Sequence, residues 1–169
     1  MATLFALRLA EQGGGALWVH ERRGGAQLNP LGFDGLDPAR LVLAVTERQL
    51  DTLAVAEEAL RDGAPGLVVM ETSAPLSLTA GRRLQLAAQA GGSTGLVLIP
   101  EGMGSPAAET RWYCAAAFDP SDSTLQFWEL IKSKSGTTGS RYVRWDAQAR
   151  RVVVVSPARN GPGSPRAPG

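Results

Sequence analysis

Four apolar residues, Leu67-Val68-Val69-Met70, run directly into a carboxylate and two hydroxyls, Glu71-Thr72-Ser73. A strand that is apolar on both faces has to be covered on both, the habit of a central strand in a parallel sheet under helices. Ligands of such sheets sit at the carboxyl ends of the strands, where Glu71 falls. An apolar strand ending in an acid is also how nucleotide-hydrolysing folds hold a magnesium-bound water. The plainer reading makes Glu71 the first polar residue of a solvated loop. The sequence around it weighs toward the plainer reading. It contains no G-x-x-x-x-G-K-[S/T] and no G-x-G-x-x-G pattern, and its only lysines, Lys132 and Lys134, follow no glycine-rich loop. Gly13-Gly14-Gly15 follows a helical stretch rather than a strand, so it offers no helix amino terminus to a phosphate. Without backbone amides and a lysine around the phosphates, phosphoryl transfer loses most of its electrostatic support.

Other catalytic sets are equally thin. His20 is the only histidine and Cys114 the only cysteine, and each lies in or at the end of an apolar strand, where packing is the common role. One cysteine excludes an internal disulfide and a cysteine-based zinc site, and one histidine removes most remaining metal patterns. Glu21 stands just past a strand end, but Arg22 and Arg23 beside it mark a surface loop. The expectation is no catalytic residue, no cofactor and no metal.

Charge is uneven along the chain. From Leu130 to Arg151, Lys132, Lys134, Arg141, Arg144, Arg150 and Arg151 face only Asp146, giving +5 in a chain whose net charge is +1. Trp128, Tyr142 and Trp145 are interleaved with these cations, a mixture that suits single-stranded nucleic acid. Against that, alternation puts Tyr142, Arg144 and Asp146 on one strand face and Val143 with Trp145 on the other, which makes the tryptophan core and the cations a wet face. Arg82 and Arg83, adjacent on a helix, are a further pair open to solvent or to a partner. DNA or an acidic partner both remain open at this point.

The elements that carry these residues follow from periodicity. Thr3 to Gln12 reads as a short amphipathic helix with Leu4, Ala6 and Leu7 inward, and Ala16 to His20 and Leu41 to Val45 as strands. Asn29 to Pro38 is dense in turn residues. Thr46 and Gln49 form a candidate capping box for a helix reaching Asp62, with Leu50, Leu53, Ala56 and Leu60 as its inner stripe. A helix over Leu78 to Gly91 and a strand over Gly95 to Ile99 complete βαβ crossovers and a parallel sheet. From Thr110 the strands come without helices, over Arg111 to Phe118, Thr124 to Lys134, Arg141 to Asp146 and Arg150 to Val155, at hairpin spacing. The fold class is therefore α/β: a central, mostly parallel sheet flanked by helices and extended by an antiparallel meander.

The 169 residues suffice for one well-packed domain, here 1–155. Residues 156–169 hold four prolines and three glycines and read as a disordered tail. No apolar run approaches the ~18 residues of a membrane helix, and a single cysteine fits a reducing, cytoplasmic setting.

Several stretches together carry a family resemblance: Leu17-Trp18-Val19, Gly35 to Leu43, Ala56 to Arg61, Leu76 to Ala88 and Thr110-Arg111-Trp112. The most specific is Leu78-Thr79-Ala80-Gly81-Arg82-Arg83-Leu84-Gln85-Leu86-Ala87-Ala88. Over roughly Leu4 to Val155 the chain resembles the ImuA family, RecA-like accessory proteins of bacterial damage-induced mutagenesis. The resemblance implies a RecA-like core in which Gly66 to Glu71 occupies the place of the Walker B strand, with Glu71 as a degenerate remnant. It also implies a helper of translesion synthesis that works with an ImuB-like Y-family polymerase homologue and an error-prone replicative-type DNA polymerase. Related RecA-like chains inhibit cell division after DNA damage, a distant alternative. A RecA-class ATPase is another. The chain departs from the RecA pattern twice: it opens at the helix that a phosphate loop would precede, and Leu98-Ile99-Pro100 lacks the glutamine that ends the strand after Walker B. The sequence leaves open whether that machinery is lost or lies upstream.

Overall fold

The computed structural model describes residues 2–12, 15–22, 28–29, 37–146, 148–149 and 151–157. They fall into two compact units, Thr3–Ala108 and Glu109 onward, each built on its own sheet.

The first unit is a four-stranded parallel sheet with order β2-β1-β3-β4, formed by β1 (Ala16–Glu21), β2 (Leu41–Thr46), β3 (Leu67–Glu71) and β4 (Thr94–Leu98). Helices α1 (Ala2–Gln12), α2 (Gln49–Asp62) and α3 (Leu78–Gly91) cover its two faces. Alternation along β3 sorts its side chains between them. Leu67 and Val69 join Ala16 and Trp18 under Ala6, Leu7 and Ala10 of α1. Val68 and Met70 join Val19 under Ala56 and Leu60 of α2 and Leu84 and Ala87 of α3. The apolar run of β3 is thus buried on both faces, each side chain contributing roughly 1.5–3 kcal/mol. Edge strand β2 is different, because Val42, Leu43 and Val45 are all exposed.

Two local expectations fail at α2. The Thr46–Gln49 capping box does not form, because Thr46 ends β2 in register with Glu21. Its hydroxyl instead meets the Thr52 hydroxyl at 2.6 Å and donates to the His20 carbonyl at 3.3 Å. The helix starts at Gln49 after Arg48, which makes no side-chain cap and grips Asp51 in a two-pronged pair at 3.0 and 3.1 Å. Leu50 is 67% exposed rather than inward, since it lies about 120° round the helix from Ala56. Wholly buried Thr52 takes the inner position with Ala56 and Leu60.

The far ends of α2 and α3 meet backbone to backbone. Gly63 caps α2 at φ +79°, and a Cβ on Gly91 would overlap the Leu60 carbonyl oxygen. Only a residue without a side chain allows that approach. Helix α3 spans the residues its pattern predicts, with the Ser77 hydroxyl accepting from the Ala80 amide at 3.1 Å.

The second unit is an antiparallel meander, β5 (Thr110–Ala116), β6 (Gln126–Ser133), β7 (Gly139–Asp146) and β8 (Arg151–Pro157), in that order. It is a separate sheet: among the described residues none of its strands pairs with β1 to β4, so it does not extend the parallel sheet edge to edge. Strand β8 runs two residues into the segment expected to be tail, with Ser156 opposite Tyr142 and Pro157 opposite Arg141. The remaining tail, 158–169, lies outside the described residues, as do Arg150, Gly13, Gly14 and the turn-rich stretch 30–36. The side chain of Leu4 is also outside them.

Candidate functional site

The carboxyl ends of the parallel strands are closed by hydrogen bonds among their own residues. Trp18 and Glu71 share a face of the sheet, Trp18 being opposite Val69 in register. The Trp18 indole N–H donates to Glu71 Oε1 at 2.9 Å. The next acid along, Glu21, accepts the Ser73 amide at 3.2 Å and the Ser73 hydroxyl at 3.0 Å. Gln49 Oε1 accepts the Ala74 amide at 2.9 Å, and Leu98 O accepts the Thr72 amide at 3.1 Å. Glu71, Glu21 and Gln49 therefore hold the β3–α3 connection and tie it to β1 and α2. Each carboxylate is engaged with a neutral donor, an arrangement that stabilises loop geometry rather than a bound phosphate. The Thr72 hydroxyl is buried and has no hydrogen-bond partner among the described residues.

The single histidine and cysteine form no reactive set. His20 Nδ1 lies 3.1 Å from its neighbour's carbonyl, Glu21 O, at the end of β1. Burial in β5 pushes the Cys114 thiol up to about 11, which keeps it protonated and weakly nucleophilic near neutrality. Among the described residues no three His, Cys, Asp or Glu side chains gather where a metal ion could sit.

The cations read from the sequence are dispersed. On α3, exposed Arg82 donates to Gln85 at 2.6 Å, whereas Arg83 reaches across to Glu57 of α2 at 2.7 Å. In the second unit the register decides the faces. Trp112, Trp128, Arg141, Val143 and Trp145 share one face, with Trp112 edge-on to Trp128 at 6.4 Å. The register shift at Arg111/Trp112 leaves Lys132 paired with Arg111 on the opposite face, which also carries Glu129, Arg144, Asp146 and Arg151. Lys134 lies in the turn beyond β6, 3.5 Å from Glu109. Among the described cations of this unit, Arg141 alone shares the tryptophan face, and its guanidinium donates to Ser140 O at 2.7 Å. Acids and bases are mixed on the other face among the described residues.

One feature of the second unit escapes the sequence patterns. A groove of about 520 Å³ lies between the 117–125 connection and the face bearing Phe127, Tyr142 and Arg144. Phe118, expected at the end of a strand, sits beyond β5 at its lip and is 93% exposed. The signal available for the loop is Asp119-Pro120-Ser121-Asp122-Ser123-Thr124, whose aspartates cap their own turns.

No family model matches the chain. It is 39% identical over 87 residues to Protein ImuA of Caulobacter vibrioides, in both strain NA1000 / CB15N and strain ATCC 19089 / CIP 103742 / CB 15. That match covers 52% of this chain and 35% of each relative, so the chain spans about a third of the length of the curated relatives it matches. Among solved structures, SulA from Pseudomonas aeruginosa superimposes with a TM-score of 0.46 at 30% identity, over 59% of this chain and 87% of that one. That superposition is too loose to bear on function. The chain is thus α/β and, over about half its length, similar to ImuA.

Proposed function

We propose that this chain is a non-catalytic, RecA-like accessory protein of damage-induced translesion DNA synthesis. It acts by binding an ImuB-like partner and an error-prone replicative-type polymerase. The observation that carries the reading is the 39% identity to ImuA over 87 residues. The engagement of Glu71 by the Trp18 indole supports it, because a Walker B-type carboxylate has to be free for a metal-bound water.

Co-purification of the full chain with an ImuB-like protein tests family and mechanism together. A stable complex is expected, along with no ATP binding in the micromolar range by calorimetry. Saturable ATP binding lost in Glu71→Gln, which keeps an acceptor for the indole, would replace the proposal with a RecA-class ATPase. Salt-sensitive single-strand DNA binding that disappears when Lys132, Lys134, Arg141 and Arg144 are replaced together would make DNA a direct ligand.

A further inference from the structure

The groove of the meander has a chemistry of its own. Its floor is Phe127 and Tyr142, set edge to face with ring centroids 5.6 Å apart, and Val155 of β8 adds to its wall. Phe118 at the lip leaves almost its whole ring in water. Large rings exposed at the lip of a concavity are common anchors of protein–protein contact. The polar part of the lining is fixed by the loop. Asp119 Oδ1 accepts from the Ser121 amide at 2.8 Å, the Ser121 hydroxyl at 2.6 Å and the Asp122 amide at 3.1 Å. Asp122 Oδ1 accepts from the Thr124 amide at 2.8 Å and the Thr124 hydroxyl at 2.6 Å. The second oxygen of each carboxylate is free of hydrogen bonds among the described residues. Arg144 is the one cation of the groove's lining, against the two carboxylates of Asp119 and Asp122. The groove is therefore of mixed polarity, and Asp119, Asp122 and Arg144 give its lining a net charge of −1, the reverse of what the neighbouring basic sequence implies.

We propose that this groove binds a basic segment of a protein partner. An apolar side chain of the segment packs on Phe118, Phe127 and Val155, while an arginine or lysine beside it meets the free oxygens of Asp119 and Asp122. An anionic ligand, nucleic acid included, would set its charge against both carboxylates. The observations lie wholly in the second unit and stand whether or not the mutagenesis reading does.

Fluorescence anisotropy with the full chain tests this. The probes are a dye-labelled peptide alternating leucine with arginine, its leucine–glutamate counterpart, and oligothymidylate. The arginine peptide should bind saturably, and Phe118→Ala and Asp119→Asn should each weaken it about tenfold. Asparagine keeps the Oδ1 that holds the turn, and Phe118 supports no core, so both variants should stay folded, Phe118→Ala at the parent's melting temperature and Asp119→Asn slightly below it. Arg144→Gln should leave binding unchanged or tighter. Absence of saturable binding, or equal affinity in all variants, overturns the proposal. So does tighter binding of oligothymidylate or the glutamate peptide that is lost in Arg144→Gln, which would mark an anion site. Self-association abolished by Phe118→Ala would give the groove to a second copy of this chain.

Discussion

The two sheets bury their apolar residues by opposite means. In the parallel sheet every side chain from Leu67 to Met70 is enclosed, because helices lie on both faces. In the meander Phe127 and Val143 are the only buried apolar side chains among the described residues, one on each face. Its other rings are half-buried or exposed. A strand covered on both sides spends its side chains on the core and leaves only its end for chemistry. A meander with two partly wet faces keeps side chains available for contact along its length. In this chain the strand end is occupied by structural hydrogen bonds, so the parallel sheet offers its exposed edge strand β2 for recognition and the meander offers its faces.

Replacing one tryptophan in each unit tests that contrast most strongly. Trp18→Ala removes a fully buried ring and orphans Glu71, and should cost about 3–5 kcal/mol in urea unfolding. Trp112→Ala removes a ring that is 40% exposed and should cost about 1 kcal/mol or less. Equal losses would show that the meander has a core as tight as the sheet's. A smaller effect is expected where α2 and α3 touch. Gly91→Ala should lower stability by about 1–3 kcal/mol, because the added methyl meets the Leu60 carbonyl. An unchanged unfolding midpoint would show that the helices can part at no cost.

The smallest effect is a pH dependence confined to the second unit. Hydrogen bonds from Ser121 hold Asp119 below the ordinary carboxylate range, and hydrogen bonds from Thr124 do the same for Asp122. A carboxyl depressed by folding stabilises the native state above its unfolded pKa, near 3.9, and that contribution is lost as pH falls through the lower folded value. Acid titration followed by circular dichroism should therefore show a slight loss below about pH 4. The loss should flatten in the double variant Asp119→Asn, Asp122→Asn, and a profile unaltered by that change would contradict the assignment.

Much of the fold is legible in the sequence because apolar runs and glycine stops are local signals. Helix α3 follows them residue for residue, and strand β3 to within one residue. The failures arise where a distant partner decides. Thr46-x-x-Gln49 satisfies the capping-box pattern, yet the pairing of Thr46 with Glu21 in the sheet withholds it. The faces of Lys132 and Val155 depend on bulges that interrupt the two-residue period, and a bulge has no reliable signature in one sequence. Glu71 is legible as a carboxylate at a strand end. Its engagement by an indole 53 residues away is not, because register across the sheet brings the two together.

That indole has a practical consequence. Trp18 is the only tryptophan of the first unit, and the other three, Trp112, Trp128 and Trp145, belong to the second. Buried and hydrogen-bonded to a carboxylate, it should emit at shorter wavelength than the half-exposed three. With those changed to phenylalanine, a single intrinsic fluorophore reports on the parallel sheet alone. The order in which the two units melt could then be read optically, without a label.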